Sequence, residues 1–97
     1  MSRRATYRLR LYVAGGALNS TQAVSNLRAF CASQLPGRHE IEIVDVFREP
    51  QRALADAVFM TPTLVKLAPG APARIVGTLS HVGPLQAALG LEARAGA

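Results

Sequence analysis

At 97 residues and 49% hydrophobic, the chain suits one compact domain that buries roughly 60–65% of its unfolded surface. No apolar run approaches the ~20 residues that span a bilayer, and Arg8 and Arg10 interrupt the segment after the basic Met1-Ser2-Arg3-Arg4, so neither a membrane span nor a signal peptide is expected. The net charge of +5 rests on arginines scattered along the chain and one lysine, Lys66, without the clustering and aromatic interleaving of a nucleic-acid surface, so an acidic protein partner suits it better.

Leu9, Leu11 and Val13 alternate with Arg8, Arg10 and Tyr12, which predicts a strand over 7–13 with one buried face. Ala14-Gly15-Gly16 then turns into a helix, with Asn19 as N-cap and Gln22 completing a capping box. Ala23, Val24, Leu27, Cys31 and Leu35 line one face of that helix, and Pro36-Gly37 ends it. The apolar run 41–47 reads as a second strand covered on both faces, parallel to the first through a βαβ crossover. Pro50 opens a short helix over 51–57. Strands over 63–68 and 74–76 flank Pro69-Gly70-Ala71-Pro72 as a hairpin. Ser80 caps a last helix whose Val82, Leu85 and Leu89 face inward, Pro84 being tolerated in its first turn. Gly90 ends it, and residues 1–5 and 91–97 are expected to be loose. The order is βαβαββα in a single domain spanning 1–97: a thioredoxin-like α/β fold, a four-stranded mixed sheet flanked by helices.

In a redox thioredoxin the first turn would carry two cysteines facing the Thr61-Pro62 step. Here that turn runs from Ala14 to Ser20 without a thiol. The one cysteine, Cys31, falls on the apolar helix face and reads as a small core residue in a reducing, cytoplasmic setting. His39 and His81 stand apart, His39 in a solvated loop and His81 at the start of the last helix, without cysteines or carboxylates at ligand spacing, so no metal site or cofactor is expected. Ser20 and Ser80 read as caps. Asp45, Glu49 and Asp56 read as solvated or paired with Arg48 and Arg52. Gly15-Gly16 lacks the remaining residues of a nucleotide loop and reads as a tight strand-to-helix turn. Binding is favoured over catalysis. The enzyme-class alternative is a glutathione-binding or enzyme-accessory domain using Thr61-Pro62 and a groove at the 14–20 turn.

One further feature is the series Leu11-Tyr12-Val13-Ala14-Gly15, Asn19-Ser20, Asp45-Val46, Pro50-Gln51, Thr61-Pro62-Thr63-Leu64, Lys66, Pro69, Arg74-Ile75-Val76-Gly77 and Leu79-Ser80. In one register, from Tyr7 to Leu89, it resembles the KaiB family of circadian-clock proteins. The resemblance implies a non-enzymatic regulator that binds the hexameric ATPase KaiC, competing with a related domain of a sensor histidine kinase, with circadian or stress-signalling output. It also implies a possible second fold, βαββααβ, associated with a homo-tetramer or dimer. The exposed polar positions that match the family, Lys66 and Arg74 with Asp45, are the expected partner contacts. Gly15, Thr61, Pro62, Thr63 and Gly77 are expected to set conformation. Pro62 occupies a position that is usually cis in a thioredoxin frame. Ala88 stands where the family commonly has glycine. With Ala87 it favours the C-terminal helix by about 1 kcal/mol, and hence the thioredoxin-like state.

Overall fold

Tyr7, Leu9, Leu11 and Val13 turn to one side of the backbone, and Arg8, Arg10 and Tyr12 to the other. In the computed structural model, which describes residues 5–91, this segment is a central strand of the sheet. The elements are β1 (Tyr7–Val13), α1 (Leu18–Gln34), β2 (His39–Asp45), α2 (Pro50–Ala55), β3 (Thr63–Ala68), β4 (Ala73–Val76) and α3 (Val82–Leu89). The sheet order is β2-β1-β3-β4. β1 runs parallel to β2, with Tyr7 opposite His39 and Val13 opposite Asp45. It runs antiparallel to β3, with Leu11 opposite Leu64 and a register shift between Arg8 and Leu9. β3 and β4 form the expected hairpin. The βαβαββα order is as the sequence predicts, and the alternative βαββααβ order is not the one adopted.

Two cores result, one on each face. Tyr7, Leu9, Leu11, Val13 and Leu64 pack against Ala23, Leu27, Phe30 and Cys31 of α1 and Leu85 and Leu89 of α3. On the opposite face Tyr12, Val44 and Val65 pack with Ala53 of α2 and Val58. The second cluster is small because α2 has six residues, so it covers one end of its face.

Several local expectations are corrected. The 41–47 run is not a strand covered on both faces. β2 spans 39–45 at the sheet edge, Val44 is its one fully buried side chain, and Phe47 lies beyond it in a turn. The doubly covered strands are β1 and β3, where both parities are buried around Leu11-Tyr12-Val13 and Thr63-Leu64-Val65. His39 is the first residue of β2, its Nδ1 2.7 Å from the Leu35 carbonyl, not a loop residue. Asn19 does not cap α1: the N-cap is Ala17, without a side-chain bond, and the capping box with Gln22 does not form. Ser20 is buried inside the first turn and accepts the Ala14 N–H at 2.9 Å, so it fastens strand to helix instead. The N-cap of α3 is His81, not Ser80, whose Oγ accepts from Thr78. Val82 is 50% exposed where it was expected inside. Leu91, expected to be loose, packs against the larger core; the rest of the expected loose tails, apart from exposed Ala5, lies outside the described residues.

Candidate functional site

The strand directions gather four connections at one end of the sheet: those following β1, β2 and β4, and the one preceding β3. Gly15, at φ +54°, turns the chain out of β1 and donates its N–H to Asp45 Oδ1 at 3.1 Å. The same oxygen accepts the Phe47 N–H at 2.9 Å. Asp45 thus ties the β1 and β2 exits together, and this leaves the Phe47 ring beside Gly15, 75% exposed. On the other side of α2, Phe59 and Met60 precede the cis Thr61–Pro62 bond and are 81% and 64% exposed. Leu54 on α2 and Leu18 at the start of α1 are also exposed. Phe47, Phe59 and Met60 are thus large apolar side chains exposed in the connections at this end, with Leu18 and Leu54 exposed on the adjoining helices, and side chains of this kind are candidates for an interaction site.

The loop carrying Phe59 is held on both flanks. Ala57 sits at φ +54° and Val58 is buried, its N–H donating to the Ala53 carbonyl at 2.8 Å. The Met60 carbonyl accepts from Thr63 Oγ1, and the Pro62 carbonyl from the Gly77 N–H at 2.9 Å. Pro62 and Thr63 are buried, and Gly77 has φ +126°, a conformation that suits glycine. Gly15, Thr61, Pro62, Thr63 and Gly77 therefore meet at this end, whereas Ala88 lies in α3 away from it.

Behind the rim a charged network fastens α2 to the sheet. Arg10 Nε donates to Glu42 at 2.8 Å and Arg10 Nη1 to Asp56 at 3.1 Å. Arg52 bridges Glu42 at 2.7 Å and Glu49 at 3.2 Å. The Tyr12 hydroxyl donates to the Asp56 carboxylate and lies 3.1 Å from the Arg52 carbonyl. The Tyr12 hydroxyl, aided by Arg10, holds the Asp56 carboxyl below the usual carboxylate range. Arg10 and Arg52 do the same for Glu42. Asp56 thus pairs with Arg10 and Tyr12, not with Arg48 or Arg52.

Lys66 needs correction as an exposed contact. It is 8% exposed, on the β3 face shared with Leu64, and its Nζ lies at the Gly70 turn. β3 is an interior strand, so its long stem is covered and only the ammonium end reaches outward. Arg74 is exposed, but its guanidinium is occupied: it donates to the carbonyls of Asp56 at 2.6 Å and Ala57 at 3.0 Å. Phe47, Leu54, Phe59 and Met60 escaped sequence reading. Phe47 falls within the expected strand and Leu54 within the expected short helix, while Phe59 and Met60 lie between expected elements, apolar bulk that neither a helix nor a strand accounts for.

Thiol chemistry has no place at this end. Cys31 is fully buried in α1, and burial pushes its thiol up to about 11. A groove of about 460 Å³ lies between α1 and β2, lined by Gly15, Ser20 and Arg28 among others. It touches the 14–20 turn, as the glutathione alternative requires, but neither Thr61 nor Pro62 lines it. No group of three metal-ligating side chains gathers among the described residues, and no described helix is long and apolar enough to cross a membrane.

The KaiB domain model matches residues 10–91. The chain belongs to the KaiB family. Its KaiB relatives include the circadian clock oscillator protein KaiB of Prochlorococcus marinus (strain MIT 9313), 44% identical over 80 residues, spanning 82% of this chain and 67% of that protein. Circadian clock protein KaiB3 of Synechocystis sp. (strain ATCC 27184 / PCC 6803 / Kazusa) is 40% identical over 73 residues, spanning 75% of this chain and 72% of that one. Among solved structures, the N-terminal domain of Synechococcus elongatus SasA superposes with a TM-score of 0.70 at 20% identity, over 89% of this chain and 85% of that one. Mitochondrial thioredoxin 3 of Saccharomyces cerevisiae gives 0.71 at 16% identity, over 90% and 79%. At such identities the likeness shows the thioredoxin-like fold alone. This KaiB-family chain has that fold without thiols in its first turn.

Proposed function

We propose that this chain is a non-enzymatic clock-type or stress-signalling regulator that docks on a KaiC-type ATPase ring through the apolar end of its sheet. Family membership supports the partner class. The observation that carries the site is the exposure of Phe47, Leu54, Phe59 and Met60 around anchored loops. Large apolar side chains held in place before binding add contact area at low ordering cost, the usual character of an interface hot spot. Asp45 contributes by fixing the Phe47 turn, and Arg74 from behind the Phe59 loop. Competition with a related domain of a sensor histidine kinase would follow from shared use of the same docking position on the ring.

The test is capture on immobilised KaiC-type hexamers with ATP, comparing wild type with Phe59→Ser. Nucleotide-dependent capture that Phe59→Ser weakens at least tenfold supports the reading, that factor corresponding to loss of one buried aromatic anchor worth ~1.4 kcal/mol or more. Capture of both proteins with equal affinity would reject this surface. Lys66→Glu is a poor probe, because it places a carboxylate at a covered position and would report on folding as much as on contact.

A further inference from the structure

We infer that Arg74 is a positioning residue that acts through Asp56 and Ala57 to hold Phe59 and Met60 in their presented arrangement; this rests on the docking reading above. α2 ends at Ala55; the N–H groups of Asp56, Ala57 and Val58 close back on the Arg52, Leu54 and Ala53 carbonyls, and the Asp56 and Ala57 carbonyls lie just beyond the helix. Arg74, opposite Val65 on β4, faces this point. It places one guanidinium nitrogen on the Asp56 carbonyl and the other on the Ala57 carbonyl, at 2.6 and 3.0 Å. Ala57 is one of the two described non-glycine residues with positive φ, a conformation that a neighbour must help to hold. Two residues later the Phe59 ring stands in solvent. A planar fork suits two adjacent carbonyls, whereas an ammonium is a point donor that cannot reproduce the geometry. Arg74, which matches the family as an expected contact, therefore commits two of its five donors to the chain's own backbone.

A positioning role and a contact role differ in kinetics. Loosening the loop in the free protein lowers the fraction ready to dock and raises the apparent Kd by that fraction. The association rate falls, while the formed complex, with its loop already seated, dissociates at its former rate. Losing a direct contact raises the dissociation rate instead. Arg74→Lys keeps the charge, so electrostatic steering is preserved and does not confuse the comparison.

The experiment combines amide exchange on free Arg74→Lys with its binding kinetics on ATP-loaded KaiC-type hexamers. Exchange at Ala57 and Val58 is expected to quicken about tenfold, with β1 and α1 amides unchanged. The association rate should fall with dissociation unaltered. Unchanged exchange at Ala57 and Val58, or faster dissociation with exchange unchanged, would overturn the positioning role. Exchange that quickens across β1 and α1 as well would also overturn it, since Arg74 would then serve general stability. Phe59→Ser, run alongside, separates the two readings: if it docks normally, the docking surface fails, while the exchange result still decides whether Arg74 holds the loop.

Discussion

Gly77 and Gly16 separate conformation from space. Neither has a neighbour within 4 Å of where a Cβ would stand, but Gly77 lies at φ +126° and Gly16 outside the positive-φ region. Gly77→Ala is expected to lower stability by about 1–2 kcal/mol, and Gly16→Ala by less than about 0.5, measured by urea unfolding. Tyr12 makes the opposite point, that chemistry can count at constant shape. Tyr12→Phe removes the hydroxyl from Asp56 inside a filled core and should cost about 1–2 kcal/mol. Asp56 and Glu42 hold their protons less tightly folded than unfolded. The stability they contribute is therefore complete above the unfolded carboxylate values near pH 4 and is lost as pH falls through the lower folded ones. Asp56→Asn should flatten that acid limb in unfolding measured from pH 6 to pH 2.5. Cys31 was legible from helix spacing, since a thiol in line with Val24 and Leu27 faces the core. Lys66 was not: one charged residue in a strand looks like a surface position until its strand proves interior.

The strands and helices were read from periodicity with few errors of type, because alternation in β1 and three- and four-residue spacing in α1 are strong signals over many residues. What failed was placement. Continuous apolar character in 41–47 indicated a strand buried on both faces, but a parallel edge strand beside a long helix also needs apolar residues. Ile41 serves that role at the border of the sheet, while Ile43 on the same face stays exposed. The network between β1, β2 and α2 was present in the sequence as Arg8-x-Arg10 and Glu40-x-Glu42, and the parallel register aligns these pairs directly. Capping residues misled because Ser, Asn and Thr bond to turns as readily as to helix ends, as Ser20 does. At this scale α3 depends on two buried leucines, and Leu85→Ala should cost about 2–5 kcal/mol. Circular dichroism and hydrogen exchange on that variant are expected to show α3 opening before β1.

For the whole molecule, a sheet with two unequal cores leaves one end rich in exposed apolar residues, and that end coincides with the loops a thioredoxin-like fold uses for chemistry. The fold and the family were legible in the sequence because they rest on a long series in one register. The docking surface was not, since exposure of Phe47 and Phe59 depends on where short loops finish, which no local pattern specifies. In solution, magnetisation transfer between Leu11 and Leu64 should report the antiparallel β1–β3 pairing of this sheet. Docking at the apolar end is tested most directly by the affinity of ATP-loaded KaiC-type hexamers for wild type and for Phe47→Ser/Phe59→Ser. Saturable, nucleotide-dependent binding that the double substitution lowers a hundredfold or more, about 2.7 kcal/mol, is the expected result. Equal binding of the two proteins, or none by wild type in any nucleotide state, would contradict it.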